Sequence, residues 1–185
     1  MRCLGCGALS WRPLCPACRQ AFLTPMPALR SVPSGLKVTT FFRYDEIEPL
    51  LLTKHRPHGH VVFRWLAKSA FSLLTPDDRL YAVGIDDNPR GGYSHTAVLV
   101  RILQKHGFGA FYGVLRAKNR VSYAGKSRAF RLANPRNFLY TGPGQIRVLL
   151  VDDVVTTGLT LMEAEAVLKE AGVKVAGALA LANVE

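Results

Sequence analysis

The sequence predicts an α/β domain with a mainly parallel sheet, preceded by a small four-cysteine unit. Three observations carry this. Residues 80–85 (Leu-Tyr-Ala-Val-Gly-Ile) and 148–151 (Val-Leu-Leu-Val) are short apolar runs, each followed by a polar loop and then a helical pattern. Such runs read as strands buried on both faces, and strands alternating with helices build a parallel sheet. All four cysteines fall within the first eighteen residues. The length of 185 residues suits one ordinary domain with a small appendage. The expected division is residues 1–30 for the cysteine unit with the start of a linker, and 36–185 for the α/β domain.

The cysteines form two pairs, Cys3-x2-Cys6 and Cys15-x2-Cys18, with eight residues between them. Two such knuckles offer four thiolates to one tetrahedral Zn²⁺. Two disulfides would need an oxidising compartment. The start, Met1-Arg2-Cys3, opens no signal-peptide apolar run, so a cytoplasmic, reducing location is expected. No apolar stretch approaches the ~20 residues of a membrane span. A ribbon this small is structural in the first place, and it also offers a docking surface for a partner or nucleic acid. The formal charge of +11 points to a polyanionic partner.

Residues 24–35 carry Pro25, Pro27 and Pro33 with Ser31 and Ser34, and read as a linker. Residues 37–44 are β-branched and aromatic, a strand. Asp45 is placed to cap a helix reaching about Lys54. His55-Arg-Pro-His58-Gly-His60 is a basic turn; Pro57 and Gly59 argue against a rigid metal-ligand set there. A helix over about 61–74 has Phe63, Leu66, Ala67, Ala70, Phe71 and Leu74 along one side.

The strand at 80–85 ends in Asp86-Asp87, then Asn88-Pro89-Arg90-Gly91-Gly92. In an open α/β sheet ligands sit beyond the carboxyl ends of strands. Arg90 and the bare backbone of Gly91-Gly92 suit an anion there, and Asp86 and Asp87 suit one only with Mg²⁺ between. Ser94 opens a helix to about Lys105, and 109–115 reads as a further strand. Between Arg116 and Arg136 there are seven basic residues and no acidic one: Arg116, Lys118, Arg120, Lys126, Arg128, Arg131 and Arg136. Tyr123 and Phe130 are interleaved. Such a segment reads either as a mobile solvated loop or as an anion clamp whose cations hold phosphates and whose aromatics stack on unpaired bases; the local, single-signed excess favours the clamp.

The stretch from Val148 to Thr160 carries the most chemistry. An aliphatic strand leads to Asp152 and Asp153, then Val154 and Val155, then the loop Thr156-Thr157-Gly158 with Leu159 and Thr160 opening a helix. Leu161, Ala164, Val167, Leu168 and Ala171 share one helical face, and Gly172 suits the C-terminus. Unpaired amides and the dipole at a helix start favour an anion, and Gly158 lets the backbone approach it. Carboxylates accept hydrogen bonds from sugar hydroxyls. A phosphate at the loop and a diol just before it describe a ribose 5-phosphate. The last strand, over 173–184, is small and aliphatic.

This stretch resembles the phosphoribosyl pyrophosphate (PRPP) motif of type I phosphoribosyltransferases. The resemblance implies that Asp152 and Asp153 hold the ribose hydroxyls, that 156–160 cradle the 5-phosphate, that the loop from Asp86 through Arg90 to Gly92 takes the pyrophosphate, and that the basic segment lies where that family has its catalytic flap. The order of a four-cysteine head, a basic segment near Lys54 and a PRPP-motif tail is similar to the ComF/ComFC competence family of bacterial DNA-uptake proteins. Arg131 and Asn134 match its Arg-x2-Asn pair. Its Arg-Gly-Phe-Asn-Gln block reads Gly91-Gly-Tyr-Ser-His95 here. That resemblance implies natural transformation, PRPP with Mg²⁺, single-stranded DNA on a set including Lys54, and DNA-uptake machinery at the inner membrane face as a further partner. The alternative is a phosphoribosyltransferase of nucleobase salvage. Against it, Thr156 stands where oxo-purine salvage enzymes often have an acidic residue, no purine pocket follows Gly172, and the cysteine head is surplus. No residue is assigned as catalytic.

Overall fold

The computed structural model describes residues 1–85, 92–119 and 127–184. The expected α/β class is what it has. Six strands form the central sheet: β1 (Ala28–Ser31), β2 (Lys37–Arg43), β3 (Leu80–Gly84), β4 (Gly109–Phe111), β7 (Arg147–Val155) and β8 (Lys174–Asn183). Their spatial order is β1-β2-β8-β7-β3-β4, parallel throughout except for the edge pair β1–β2. A separate two-stranded antiparallel ribbon joins β5 (Leu115–Ala117) to β6 (Phe138–Tyr140). The helices are α1 (Pro16–Phe22), α2 (Tyr44–Leu51), α3 (Gly59–Phe71), α4 (His95–Lys105), α5 (Arg128–Ala133) and α6 (Leu159–Glu170), with a 3₁₀ turn over Leu52–His55. Among the described residues, no helix is long and apolar enough to cross a membrane.

Each face of the sheet has its own core. On one, Ile47 and Leu50 of α2, Phe63 and Leu66 of α3 and Leu99 and Leu103 of α4 pack on Phe41 and Val151. On the other, Leu161, Ala164 and Leu168 of α6, with Leu115 and Phe138 of the ribbon, pack on Val148, Leu150 and Val83. The direction of travel explains the split. The chain steps one way through β2, β3 and β4 and the other way from β7 to β8. Right-handed crossovers then put the connecting helices on opposite faces. The reversal falls between β3 and β7, and the crevice at the carboxyl ends of these two strands is the topological switch point.

Several sequence expectations shift. The stretch read as a linker contains β1, which joins the sheet through four paired positions with β2. The strand expected over 109–115 breaks at Gly113, whose φ is +63°, and its two ends enter different sheets. Asp45 is not the cap of α2. Arg43 holds that position, and Asp45 lies in the first turn with a carboxylate oxygen 2.9 Å from the Arg43 guanidinium. β7 does not stop at Val151 but runs through the two acids, because β8 pairs with it as far as Val155↔Asn183. By contrast, Ser94 caps α4 as expected, its hydroxyl accepting from Ala97 N–H at 3.1 Å.

Candidate functional site

The acid pair lies inside the switch-point crevice. Alternation along β7 turns Asp153 to the same side as Leu149 and Val151, the face covered by α2–α4. That is why groups from two of those elements reach it. Lys54, in the 3₁₀ turn after α2, donates to Asp153 Oδ2 at 2.9 Å. His95, the first residue of α4, has Nε2 at 3.8 Å from the same oxygen. Asp153 Oδ1 accepts from Val154 N–H at 3.0 Å, and Asp152 Oδ1 from Asp153 N–H at 2.8 Å. Asp153 is buried and Asp152 half-buried.

The two acids titrate in opposite directions. Burial, reinforced by the charge on Asp153, pushes the Asp152 carboxyl well above the usual carboxylate range. Burial works against charge on Asp153 as well, but His95 and Lys54 outweigh it and hold that carboxyl below the usual range. Burial likewise disfavours the Lys54 ammonium, and the Asp153 charge reverses this to a net upward shift. The ligand atoms of His95, Asp152 and Asp153 all lie within 4.8 Å of one another, a set able to share a cation. The Lys54 ammonium already supplies positive charge at its edge.

The loop after β7 has the geometry of an anion cradle. Gly158 precedes α6 with φ +76°. A Cβ there would lie 2.4 Å from Val32 Cγ1, so the β1–β2 hairpin seats directly on the loop and only glycine fits. Thr157 Oγ1 is buried with no hydrogen-bond partner among the described residues. A buried hydroxyl without a partner is costly unless something else occupies its neighbourhood. Thr156 Oγ1 accepts from Arg131 Nη1 at 2.6 Å. Val154 is half-buried and Val155 buried, while Leu159 and Thr160 form the first turn of α6.

The basic segment leaves β5 and returns through β6. Arg116 and Lys118 are exposed, and Arg131 and Arg136 are half-buried. Asp86, Asp87, Arg90, Arg120 and Lys126, and the side chain of Arg128, lie outside the described residues. Lys54, grouped with this segment on sequence, has its ammonium on Asp153.

At the N-terminus the four sulfurs lie within 4.8 Å of one another, and Cys6 and Cys15 are 3.8 Å apart. Four thiolates about 2.3 Å from one tetrahedral ion would be spaced by about 3.8 Å. Amides turned inward, including Cys15 N–H to Cys3 Sγ at 3.3 Å, lower the Cys3 thiol to about 6. Burial and the neighbouring sulfurs push Cys18 up to about 12. Gly5 admits the turn, since a Cβ there would be 2.7 Å from Cys18 Sγ. The unit rests on α3: Arg19 stacks over the Trp65 ring at 4.8 Å, and Ser69 Oγ donates to the Leu23 carbonyl. Trp11, at its tip, is fully exposed.

Sequence reasoning missed His95, Glu163 and Trp11. The Ser94 cap, which puts His95 at the start of a helix beside the crevice, was the available signal for His95. Nothing in the sequence marks Glu163, whose carboxylate accepts from Arg136 N–H at 3.1 Å and Asn137 N–H at 2.6 Å. Trp11 was legible as an aromatic between the two cysteine knuckles.

No protein-family model matches the chain, and no curated protein matches it. Solved structures similar to it include UMP synthase of Leishmania donovani, with 16% identity over 90% of this chain and a TM-score of 0.43. Others are orotate phosphoribosyltransferase of Mycobacterium tuberculosis (13%, 91% of this chain and 85% of that one, TM-score 0.42) and a hypoxanthine phosphoribosyltransferase of Staphylococcus aureus (15%, 67% of this chain, TM-score 0.41). The chain spans 31% of the UMP synthase and 64% of the hypoxanthine enzyme.

Proposed function

We propose that the chain binds PRPP with Mg²⁺ in the crevice between β3 and β7 and handles single-stranded DNA, as a competence-type DNA-uptake or DNA-processing protein. The observation that carries the PRPP reading is the run from β7 into α6. Two acids, a threonine loop with a buried hydroxyl that has no partner among the described residues, a left-handed glycine and a helix start follow one another at a topological switch point. In this reading the amides at the start of α6 and the hydroxyls of Thr156, Thr157 and Thr160 take the 5-phosphate. Asp152 and Asp153 accept from the ribose hydroxyls.

Mg²⁺ would supply charge neutralisation for the pyrophosphate, and Asp86, Asp87 and Arg90 are the residues we assign to hold them. Transfer at such a site displaces pyrophosphate from C1 of the ribose through an oxocarbenium-like state. The chain's share of that chemistry is positioning and fixed charge. The four cysteines suit one structural Zn²⁺, since their spacing and inward amides favour thiolates around a single ion. Support for DNA comes from the local charge of the basic segment and from exposed rings, Trp11 wholly and Phe130 partly, on which bases could stack.

The test is calorimetry with PRPP and Mg²⁺ on the wild type and on Asp152→Ala combined with Asp153→Ala. The double variant should lose PRPP binding; equal binding would remove the site from these residues. Incubation with PRPP and either oligonucleotides or free nucleobases, followed by pyrophosphate release, separates DNA handling from base salvage.

A further inference from the structure

The seam between the cysteine unit and α3 carries a groove of about 440 Å³. Arg19, Gln20 and Leu23 line it on the α1 side, and Trp65 and Lys68 on the α3 side. None of its lining residues belongs to the crevice between β3 and β7. Two observations single it out. The first is that Arg19 Nε is buried and has no hydrogen-bond partner among the described residues. The guanidinium rests on the Trp65 ring at 4.8 Å, a contact that uses none of its N–H donors. A buried donor without an acceptor is destabilising until something supplies one.

The second is the sign of the charge. The chain has no acidic residue before Asp45 and none between Glu48 and Asp77, so neither α1 nor α3 carries one. Arg64 and Lys68 stand one turn apart, both exposed, on α3. Neither of them, nor Arg19, makes an ion pair among the described residues. Cations of one sign thus rim a floor made by Leu23 and a half-buried tryptophan. Such a surface complements carboxylates carried next to an apolar group.

We propose that this groove docks an acidic peptide segment of a partner protein, with one carboxylate on Arg19, a second toward Lys68, and the apolar side chain between them on Leu23 and Trp65. Turned slightly off the ring, the guanidinium presents its Nε–Nη edge, which matches a carboxylate with two parallel hydrogen bonds. That contact gives the Nε donor its acceptor. Nucleic acid suits the groove less well. Bases need an open aromatic face, and the ring in this lining already has Arg19 on it.

The experiment uses the whole chain as Trp11→Phe, which leaves Trp65 as its single tryptophan. The probes are a short acetylated Gly/Ser peptide carrying Glu-Leu-Glu, the same peptide with Gln-Leu-Gln, and oligothymidylate. The Glu peptide should shift Trp65 emission to shorter wavelength, saturably, as an apolar side chain replaces water at the ring; the Gln peptide should not. Calorimetry, which does not depend on the ring, should find Arg19→Ala weakened by roughly ten- to a hundredfold and Arg19→Lys in between. Lys68→Ala removes an exposed partner and should weaken binding by roughly two- to fivefold. It keeps the test decisive should Arg19→Ala fail to fold. Equal binding of the Glu and Gln peptides, no binding of either, or affinity unchanged in the Arg19 and Lys68 variants would overturn the proposal. Oligothymidylate that produces the same shift and displaces the Glu peptide would also overturn it, and would add the groove to the DNA surface. Failure of PRPP to bind the crevice would leave all these outcomes unchanged.

Discussion

Replacing Gly158 with Ala tests the junction on which the phosphate loop depends. Two costs add. The residue sits at φ +76°, where an L side chain loses about 1–2 kcal/mol. The new Cβ would also meet Val32 Cγ1 at 2.4 Å and Val32 Cβ at 2.8 Å, and Val32 is itself buried. Relieving such an overlap costs about 1–3 kcal/mol. The sum is about 2–5 kcal/mol, or roughly 4–20 °C in Tm for a chain of this size.

Urea melts followed by circular dichroism measure it, and a cycle with Val32→Ala separates the parts. Val32→Ala alone should cost about 1–3 kcal/mol for the lost methyl groups. In the double variant the closer overlap, with Cγ1, is gone while the Val32 Cβ contact at 2.8 Å stays, so the two costs should fall short of additivity by part of that 1–3 kcal/mol. Gly158→Asn should recover most of the backbone cost, since Asn tolerates this conformation, while keeping the overlap. An additive cycle, or a Gly158→Ala cost below about 1 kcal/mol, would refute the account of this contact.

Lys54→Met should destabilise by about 1–3 kcal/mol, less than the 3–5 of a fully buried pair because the Lys54 side chain is 34% exposed. The pH dependence has a definite sign. Asp153, held low in the folded chain, contributes stability that is complete above about 3.9 and is lost as pH falls through its lowered value. Asp152, held high, acts oppositely and adds stability as pH falls toward 3.9. Denaturant melts across pH should show Lys54→Met losing stability at a higher pH than the wild type; coincident acid limbs would count against the pair. Elemental analysis should find about one zinc per chain, and chelation should change the fluorescence of Trp65 as Arg19 leaves it. A metal-free chain as stable as one with the cysteines replaced by Ser would sink that assignment. Arg116→Ala with Lys118→Ala should flatten the dependence of log affinity for single-stranded DNA on log salt by about 1.4, or 0.7 per contact; an unchanged slope would remove both from the DNA surface.

The run from β7 through α6 was readable because its hydrophobic period changes at Thr156, and local chemistry decides each step of it. β1 was not, because Ala28-Leu-Arg-Ser between prolines has no strand signal of its own and becomes a strand by pairing with β2. The break at Gly113 was hidden for a similar reason, since the two halves look alike until different partners claim them. Lys54 and Asp153 stand 99 residues apart, and no local pattern joins them. Their meeting depends on which face of the sheet each side chain takes, and hence on the strand order. The acid pair was legible as a pair, but the opposite titration of its members is a product of packing.

The place of β8 has a consequence for how the chain comes to be folded during synthesis. β8 lies between β2 and β7 and hydrogen-bonds both, yet it is translated after every other strand of the sheet. Until it leaves the ribosome, β1–β2 has no sheet to join, and one edge of β7 has no partner. The nascent chain therefore carries the open edge of β2 through most of its translation and that of β7 from residue 155 until β8 follows, a state prone to mispairing with other chains. Closure is a late event of high sequence separation, which slows folding. An interruption between residues 160 and 174 leaves a product in which the cysteine head and the phosphate loop are both made but lack the strand that joins β2 to β7.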